Sequence, residues 1–211
     1  MAEYKYQLEN NEYFLYEDGK MMTTPHGAVI KTENENLAKE LIEELDAGKG
    51  FTSPSSLLTY HYTYCNLREQ YDLKTLVEKF SISANCVALM SDEYLLFHQP
   101  SPIKQAYATY FEQALPECFK SYNFYQFAAI MVVLTAYESM MLAYYIIIDI
   151  YEKMLKNETA DYQTLKEEFL EDLQDYELEQ FGIDFDNDNP HDEHLQNIDN
   201  MIDAFVQYFN L

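Results

Sequence analysis

Three aspartates at alternating positions are the residues whose spacing best suits metal chemistry. Asp184, Asp186 and Asp188 alternate like the first ligands of a calcium loop. Such a loop needs Gly at its sixth position for a sharp turn and a bidentate Glu at its twelfth, where this sequence has Asn189 and Leu195. The calcium template therefore fails at both positions, and a solvated acidic loop is the better interpretation.

Two histidines follow the aspartates at the spacing of one helical turn. His191 and His194, with Asp192 and Glu193 between them, could contact a metal ion together. A structural zinc site takes four ligands, and no other cysteine or histidine lies nearby in the sequence. We therefore expect surface histidines at the start of a helix. A metal-dependent enzyme using the loop 184–194 is kept as the alternative hypothesis.

Motifs for covalent or nucleotide chemistry are missing from the sequence. It contains no Gly-x-Ser-x-Gly elbow, no phosphate-binding loop and no dinucleotide fingerprint. His61 stands between two tyrosines without an identifiable nucleophile, so a place in the core or at its rim is expected. Cys65, Cys86 and Cys118 form no Cys-x-x-Cys pair, which indicates reduced thiols rather than a zinc ribbon or a disulfide framework. We expect no catalytic residue, metal ion or cofactor.

The first thirty residues have the pattern of a small antiparallel sheet. Tyr4, Tyr6 and Leu8 alternate with polar neighbours, as in a strand with one buried face. The Asp-Gly pair at the centre of Glu17–Lys20 predicts a hairpin turn.

A helix is predicted next. Asn34 or Asn36 can accept hydrogen bonds from free amides of its first turn, and the leucines 37, 41 and 45 share one face. Gly48 and Gly50 predict its end. The aromatic stretch Leu57–Tyr64 fits a strand or a helix equally well.

From residue 67 onward the pattern is mainly helical, which predicts an α+β protein with two domains. The expected division is a β-rich N-terminal domain with one helix, residues 1–66, and a helical C-terminal domain, residues 67–211. The most apolar segment, Phe124–Leu155, is long enough to span a membrane, but Glu138 lies at its centre and Asp149 near its end. A helix at the centre of a bundle is the better interpretation, and no membrane insertion is expected.

The charge of the chain favours a protein partner. Thirteen basic residues stand against 37 acidic ones, a net charge of -24, which would repel nucleic acid and anionic membranes. Such a charge favours either a basic protein partner or simply a solvated acidic surface that keeps the protein soluble. Residues 157–211 contain sixteen acidic residues and a single basic one, Lys166. The N-terminus resembles neither a secretory signal nor a transit peptide. We expect a cytoplasmic bacterial protein, or a mitochondrial matrix protein if the chain is a processed eukaryotic form.

The order of several short segments resembles one known family. In that family a hairpin turn and a Thr-Pro pair precede a helix that contains Leu-Ala and then Glu-Trp-Asp. In this chain the turn is Tyr16–Lys20, the Thr-Pro pair lies in Thr23–Pro25 and the helix ends in Glu44–Asp46. Near the C-terminus, Asp175–Asp184 is similar to a helix that closes in Trp-Gly-x-Asp. This order resembles the assembly chaperones that bind the alpha subunit of the F-type ATP synthase head. The chain departs from the family at both tryptophans and has Glu177 where the family has Gln.

The resemblance implies a protein client held by surface contact, without catalysis. It places client binding at Glu177, Glu179 and Asp184, with Leu45 and Phe181, which replace the two tryptophans, as structural supports. The partner it implies is the ATP synthase alpha subunit. An acidic adaptor that keeps the fold but binds a different client is the remaining alternative.

Overall fold

The computed structural model describes residues 2–91, 115–136 and 190–211. The strands in these ranges are β1 (Tyr4–Glu9), β2 (Glu12–Glu17), β3 (Lys20–Met21) and β4 (Lys31–Thr32). The helices are α1 (Glu35–Asp46), α2 (Leu57–Gln70), α3 (Leu73–Ser91), α4 (Leu115–Phe119), α5 (Phe124–Ala136) and α6 (Pro190–Phe209). An antiparallel sheet followed by helices confirms the predicted α+β class.

Two tight hairpins build the sheet around β2, which pairs with β1 along one edge and with β3 and β4 along the other. Asn10 and Asn11 join β1 to β2 with φ angles of 50° and 67°, and Asp18 and Gly19 join β2 to β3 with 48° and 76°. Two consecutive residues in the left-handed region are typical of type I′ turns, whose twist matches that of the flanking strands. The predicted Asp-Gly hairpin is confirmed, and the Asn-Asn hairpin is a second one.

The predicted helix α1 begins and ends at the expected residues. Asn34 is its N-cap, and the side-chain oxygen accepts hydrogen bonds from the amides of Asn36 and Leu37 at 3.0 and 3.2 Å. Its three leucines are buried, including Leu45 at 7 % exposure. Gly48, with φ of 73°, follows the last turn in a conformation that L side chains rarely adopt.

The undecided stretch Leu57–Tyr64 belongs to helix α2, whose N-terminus is capped from outside. The carboxylate of Glu44 in α1 accepts from the Ser56 hydroxyl at 2.7 Å and from the Leu58 amide at 3.0 Å. A carboxylate at this end also interacts favourably with the helix dipole. Because α2 runs from Leu57 to Gln70, the expected boundary at residues 66 and 67 lies inside it. The division into two domains stays a prediction.

The sheet and the helices share a continuous hydrophobic core. Helix α1 packs on β1 and β2, α2 packs on α5, and α5 packs on α6. Fully buried side chains come from every layer: Leu15, Ile30, Leu37, Leu41, Leu58, Tyr60, Phe119, Phe127 and Tyr208. Within the ranges described, no helix is both long and apolar enough to cross a membrane.

Candidate functional site

Helix α2 carries the most chemically varied group of side chains in the described ranges. His61, Tyr64, Cys65 and Arg68 are three or four residues apart, so they follow one face of the helix. This face meets the strand β4, helix α5 and helix α6. The four residues and their contacts are called the α2 junction below.

His61 is a neutral histidine fixed at both ring nitrogens. Its Nε2 lies 3.0 Å from the carbonyl oxygen of Lys31, and its Nδ1 lies 2.9 Å from the hydroxyl oxygen of Tyr208. A carbonyl only accepts, so Nε2 carries the proton and Nδ1 accepts from Tyr208. Burial lowers the pKa of His61 to about 4 because the charged imidazolium loses its hydration. The prediction that His61 lies in the core or at its rim is confirmed, since its side chain is buried.

Cys65 and His61 do not form a nucleophile and its base. The Cys65 sulfur lies 3.7 Å from Nε2 of His61, the nitrogen that already carries a proton and donates it to the Lys31 carbonyl. This nitrogen therefore cannot take the thiol proton. Burial raises the pKa of Cys65 to about 11, so the thiol stays protonated at neutral pH.

Aromatic stacking holds the rest of the junction together. The ring of Tyr64 stacks on that of Tyr125 with centroids 4.2 Å apart, and the ring of His61 stacks on Tyr64 at 5.2 Å. The guanidinium of Arg68 donates to the Tyr64 hydroxyl at 2.9 Å. Burial raises the pKa of Tyr64 and of Tyr208, so both phenols remain neutral. The junction is thus built to connect the sheet with three helices.

An open cleft of about 300 Å³ lies beside the junction, between α2 and the end of the sheet. It is lined by Phe14, Gly27, Ala28, Val29, Lys31, Tyr64, Cys65, Arg68 and Glu69. The Lys31 ammonium already donates to Glu12 at 2.7 Å, and the Arg68 guanidinium lies 3.9 Å from Glu12 and 4.0 Å from Glu33. An anionic ligand would have to displace these carboxylates, so the cleft offers no ready anion site.

Tyrosine hydroxyls satisfy several carboxylates on and beside the sheet. Tyr4 donates to Glu17 at 3.1 Å and Tyr16 donates to Glu9 at 2.6 Å. Glu35 accepts from two tyrosine hydroxyls at 3.3 and 3.4 Å, and its pKa is lowered, mainly by the hydrogen bond from Lys39. Neutral phenol groups thus donate hydrogen bonds to carboxylates that would usually be paired with lysine or arginine, in a chain that has few of either.

The client-binding residues predicted from the sequence, Glu177, Glu179 and Asp184, lie outside the described residues, as does Phe181. The fifth predicted residue, Leu45, is buried in the core.

The predicted metal loop is described only in part. The backbone of residues 190–194 forms the first turns of α6, so the two histidines of the loop do stand near a helix start. Among the residues that the structure describes, no group of three or more His, Cys, Asp or Glu side chains is placed to hold a metal ion.

The α2 junction went unnoticed in the sequence, although one signal was present. His61, Cys65 and Arg68 recur at helical spacing within a stretch rich in aromatic residues. Their partners, Tyr125 and Tyr208, are distant in the sequence, which hides the pairing.

Comparison with known proteins found no protein-family model, curated protein or solved structure that matches this chain.

Proposed function

We propose that this protein is a non-catalytic, acidic chaperone that binds a basic client polypeptide during assembly. The first client to test is the alpha subunit of an F-type ATP synthase, because the order of segments in the sequence resembles the chaperones of that subunit. The observation that carries the proposal is the charge of residues 157–211, with sixteen acidic residues and one basic residue. An excess of this size steers cationic partners toward the protein.

The chemistry of the α2 junction supports a role without catalysis. The imidazole of His61 is bonded at both nitrogens, and the pKa of Cys65 is raised to about 11. A general base or a nucleophile needs a free, reactive form near neutral pH. The histidine and the cysteine of the junction are therefore suited to stabilising the fold.

The proposed cycle follows from the physics of unassembled subunits. A subunit that awaits its neighbours exposes an apolar interface, which promotes aggregation. An acidic chaperone attracts such a subunit through long-range charge and covers the interface by contact. Electrostatic attraction mainly raises the association rate, so the complex can still dissociate when the final partner competes.

The test is a calorimetric titration of this protein with the isolated alpha subunit. We expect saturable binding that weakens as salt is raised, because salt screens the acidic surface. A basic folded protein of another kind, such as lysozyme, serves as the control for unspecific charge attraction. No heat of binding with the alpha subunit, or equal affinity for both proteins, would contradict the proposed client.

A further inference from the structure

Strand β1 forms a free edge of the sheet within the described part of the chain. The pair Glu9–Glu12 closes a two-residue hairpin loop and is therefore a hydrogen-bonded pair of the β1–β2 ladder. At the other end of β1, the Asp18 amide donates to the Glu3 carbonyl at 2.9 Å, which fits the same alternation of bonded and non-bonded residues. Odd-numbered residues of β1 thus bond to β2. The backbone amides and carbonyls of Tyr4, Tyr6 and Leu8 point outward, and no described residue pairs with them.

We propose that β1 pairs with β1 of a second copy of this chain, antiparallel and centred on Gln7. In this register Tyr6 lies opposite Leu8 of the partner subunit, and each such pair exchanges both of its backbone hydrogen bonds. Lys5 lies opposite the partner subunit's Glu9 on the outer face, and the twofold axis repeats the contact. Side chains at such directly opposed positions are close enough for an ion pair.

Charge favours this register over the two registers that are shifted toward the N-terminus of β1. A pairing centred on Tyr6 would place Glu3 opposite Glu9 of the partner subunit. One centred on Lys5 would place the two Lys5 ammonium groups opposite each other. Like charges directly opposite one another destabilise a strand pair, whereas opposite charges stabilise it. The register centred on Gln7 satisfies Lys5 and Glu9 on both strands at once.

An exposed apolar side chain gives the contact a second component. Leu8 is 59 % exposed, on the same side of the sheet as Tyr6 and the fully buried Leu15. Pairing places Leu8 against Tyr6 of the partner subunit, at the edge of the existing core. The proposed contact thus removes an exposed leucine from water and extends the core of each copy.

The net charge sets the conditions under which the dimer forms. Two chains of charge -24 repel each other. At about 0.15 M salt the Debye length is about 8 Å, so distant charges are screened and the contact groups dominate. Strand β1 itself carries one cation and one anion, Lys5 and Glu9, and is locally neutral. We therefore expect a weak dimer at physiological salt that dissociates at low salt.

Sedimentation equilibrium of the full-length protein tests the proposal, with about 100 μM protein in about 0.15 M salt. Lys5→Glu and Glu9→Lys each place like charges opposite one another, so each variant alone should dimerise about tenfold more weakly than wild type. The two variants mixed should form a heterodimer, because every pair then has opposite charges. The double variant Lys5→Glu/Glu9→Lys should also regain the wild-type dimer.

Leu8→Pro is a second, independent variant. It removes an outward-facing amide that the β1–β2 ladder does not use, so the circular dichroism spectrum should be unchanged while the dimer is lost. A wild-type protein that stays monomeric under these conditions would overturn the proposal. So would single charge variants that dimerise as well as wild type, or a mixture that forms no heterodimer.

Discussion

Around His61, the polar groups bond to one another inside the protein, whereas residues 157–211 carry sixteen acidic side chains and one lysine. The charge balance of residues 1–91 is closer to neutral, with fourteen acidic and eight basic residues. In that part, lysines and tyrosine hydroxyls bond to many of the carboxylates. The N-terminal part and the junction thus use their polar groups to stabilise the fold, whereas the acidic end has few cations to pair with and is the part that we propose binds the client.

The largest effect on stability is expected from the core next to the junction. Phe127 is fully buried and contacts the rings of Phe80, Phe119 and Tyr122. Phe127→Ala should lower the free energy of unfolding by about 3–5 kcal/mol because it leaves a cavity. Ile82→Ala, at a side chain that is 63 % exposed, is the control and should change it by less than about 0.5 kcal/mol. Denaturant titrations measure both, and similar values would contradict this account of the core.

Acidification should weaken the junction selectively. The pKa of His61 is about 4 in the folded protein against 6.5 for a free imidazole, so only the unfolded chain gains this proton between those values. The contribution of neutral His61 to the free energy of unfolding is fully present above pH 6.5. It is lost as the pH falls toward 4, by roughly 3 kcal/mol in total. Carboxylate titration is common to wild type and His61→Gln, so the difference between their stability profiles isolates the histidine. Parallel profiles would refute the assignment.

A smaller effect is expected from one hydroxyl. Tyr208→Phe leaves Nδ1 of His61 buried without its donor, which should cost about 1–3 kcal/mol of unfolding free energy. Tyr16→Phe removes a hydroxyl at the protein surface and is the matched control, with an expected change under about 0.5 kcal/mol. Thermal melts of both variants measure the loss of stability in each. Equal melting temperatures would show that the Tyr208 hydrogen bond adds nothing to stability.

Local sequence signals predicted the sheet and α1, because alternation, the Asp-Gly turn and a leucine stripe act over a few residues. The same signals could not decide Leu57–Tyr64, because tyrosines lie on both the buried and the half-buried side of this helix and leave no clear hydrophobic periodicity. The cap on α2 comes from Glu44 in another helix, and His61 bonds to Tyr208 at a separation of 147 residues. Such contacts arise only from the tertiary fold, so the junction could not be predicted from local patterns.

The most direct test of the proposed function compares two double charge reversals in binding to the ATP synthase alpha subunit. Glu177→Lys/Glu179→Lys alters the predicted client-binding residues, and Glu43→Lys/Asp46→Lys makes the same change in net charge on the exposed side of α1. We predict that the first variant binds about tenfold more weakly than wild type and that the second stays within about twofold. Equal affinities for the two variants, or an alpha subunit that binds neither variant nor wild type, would contradict the account.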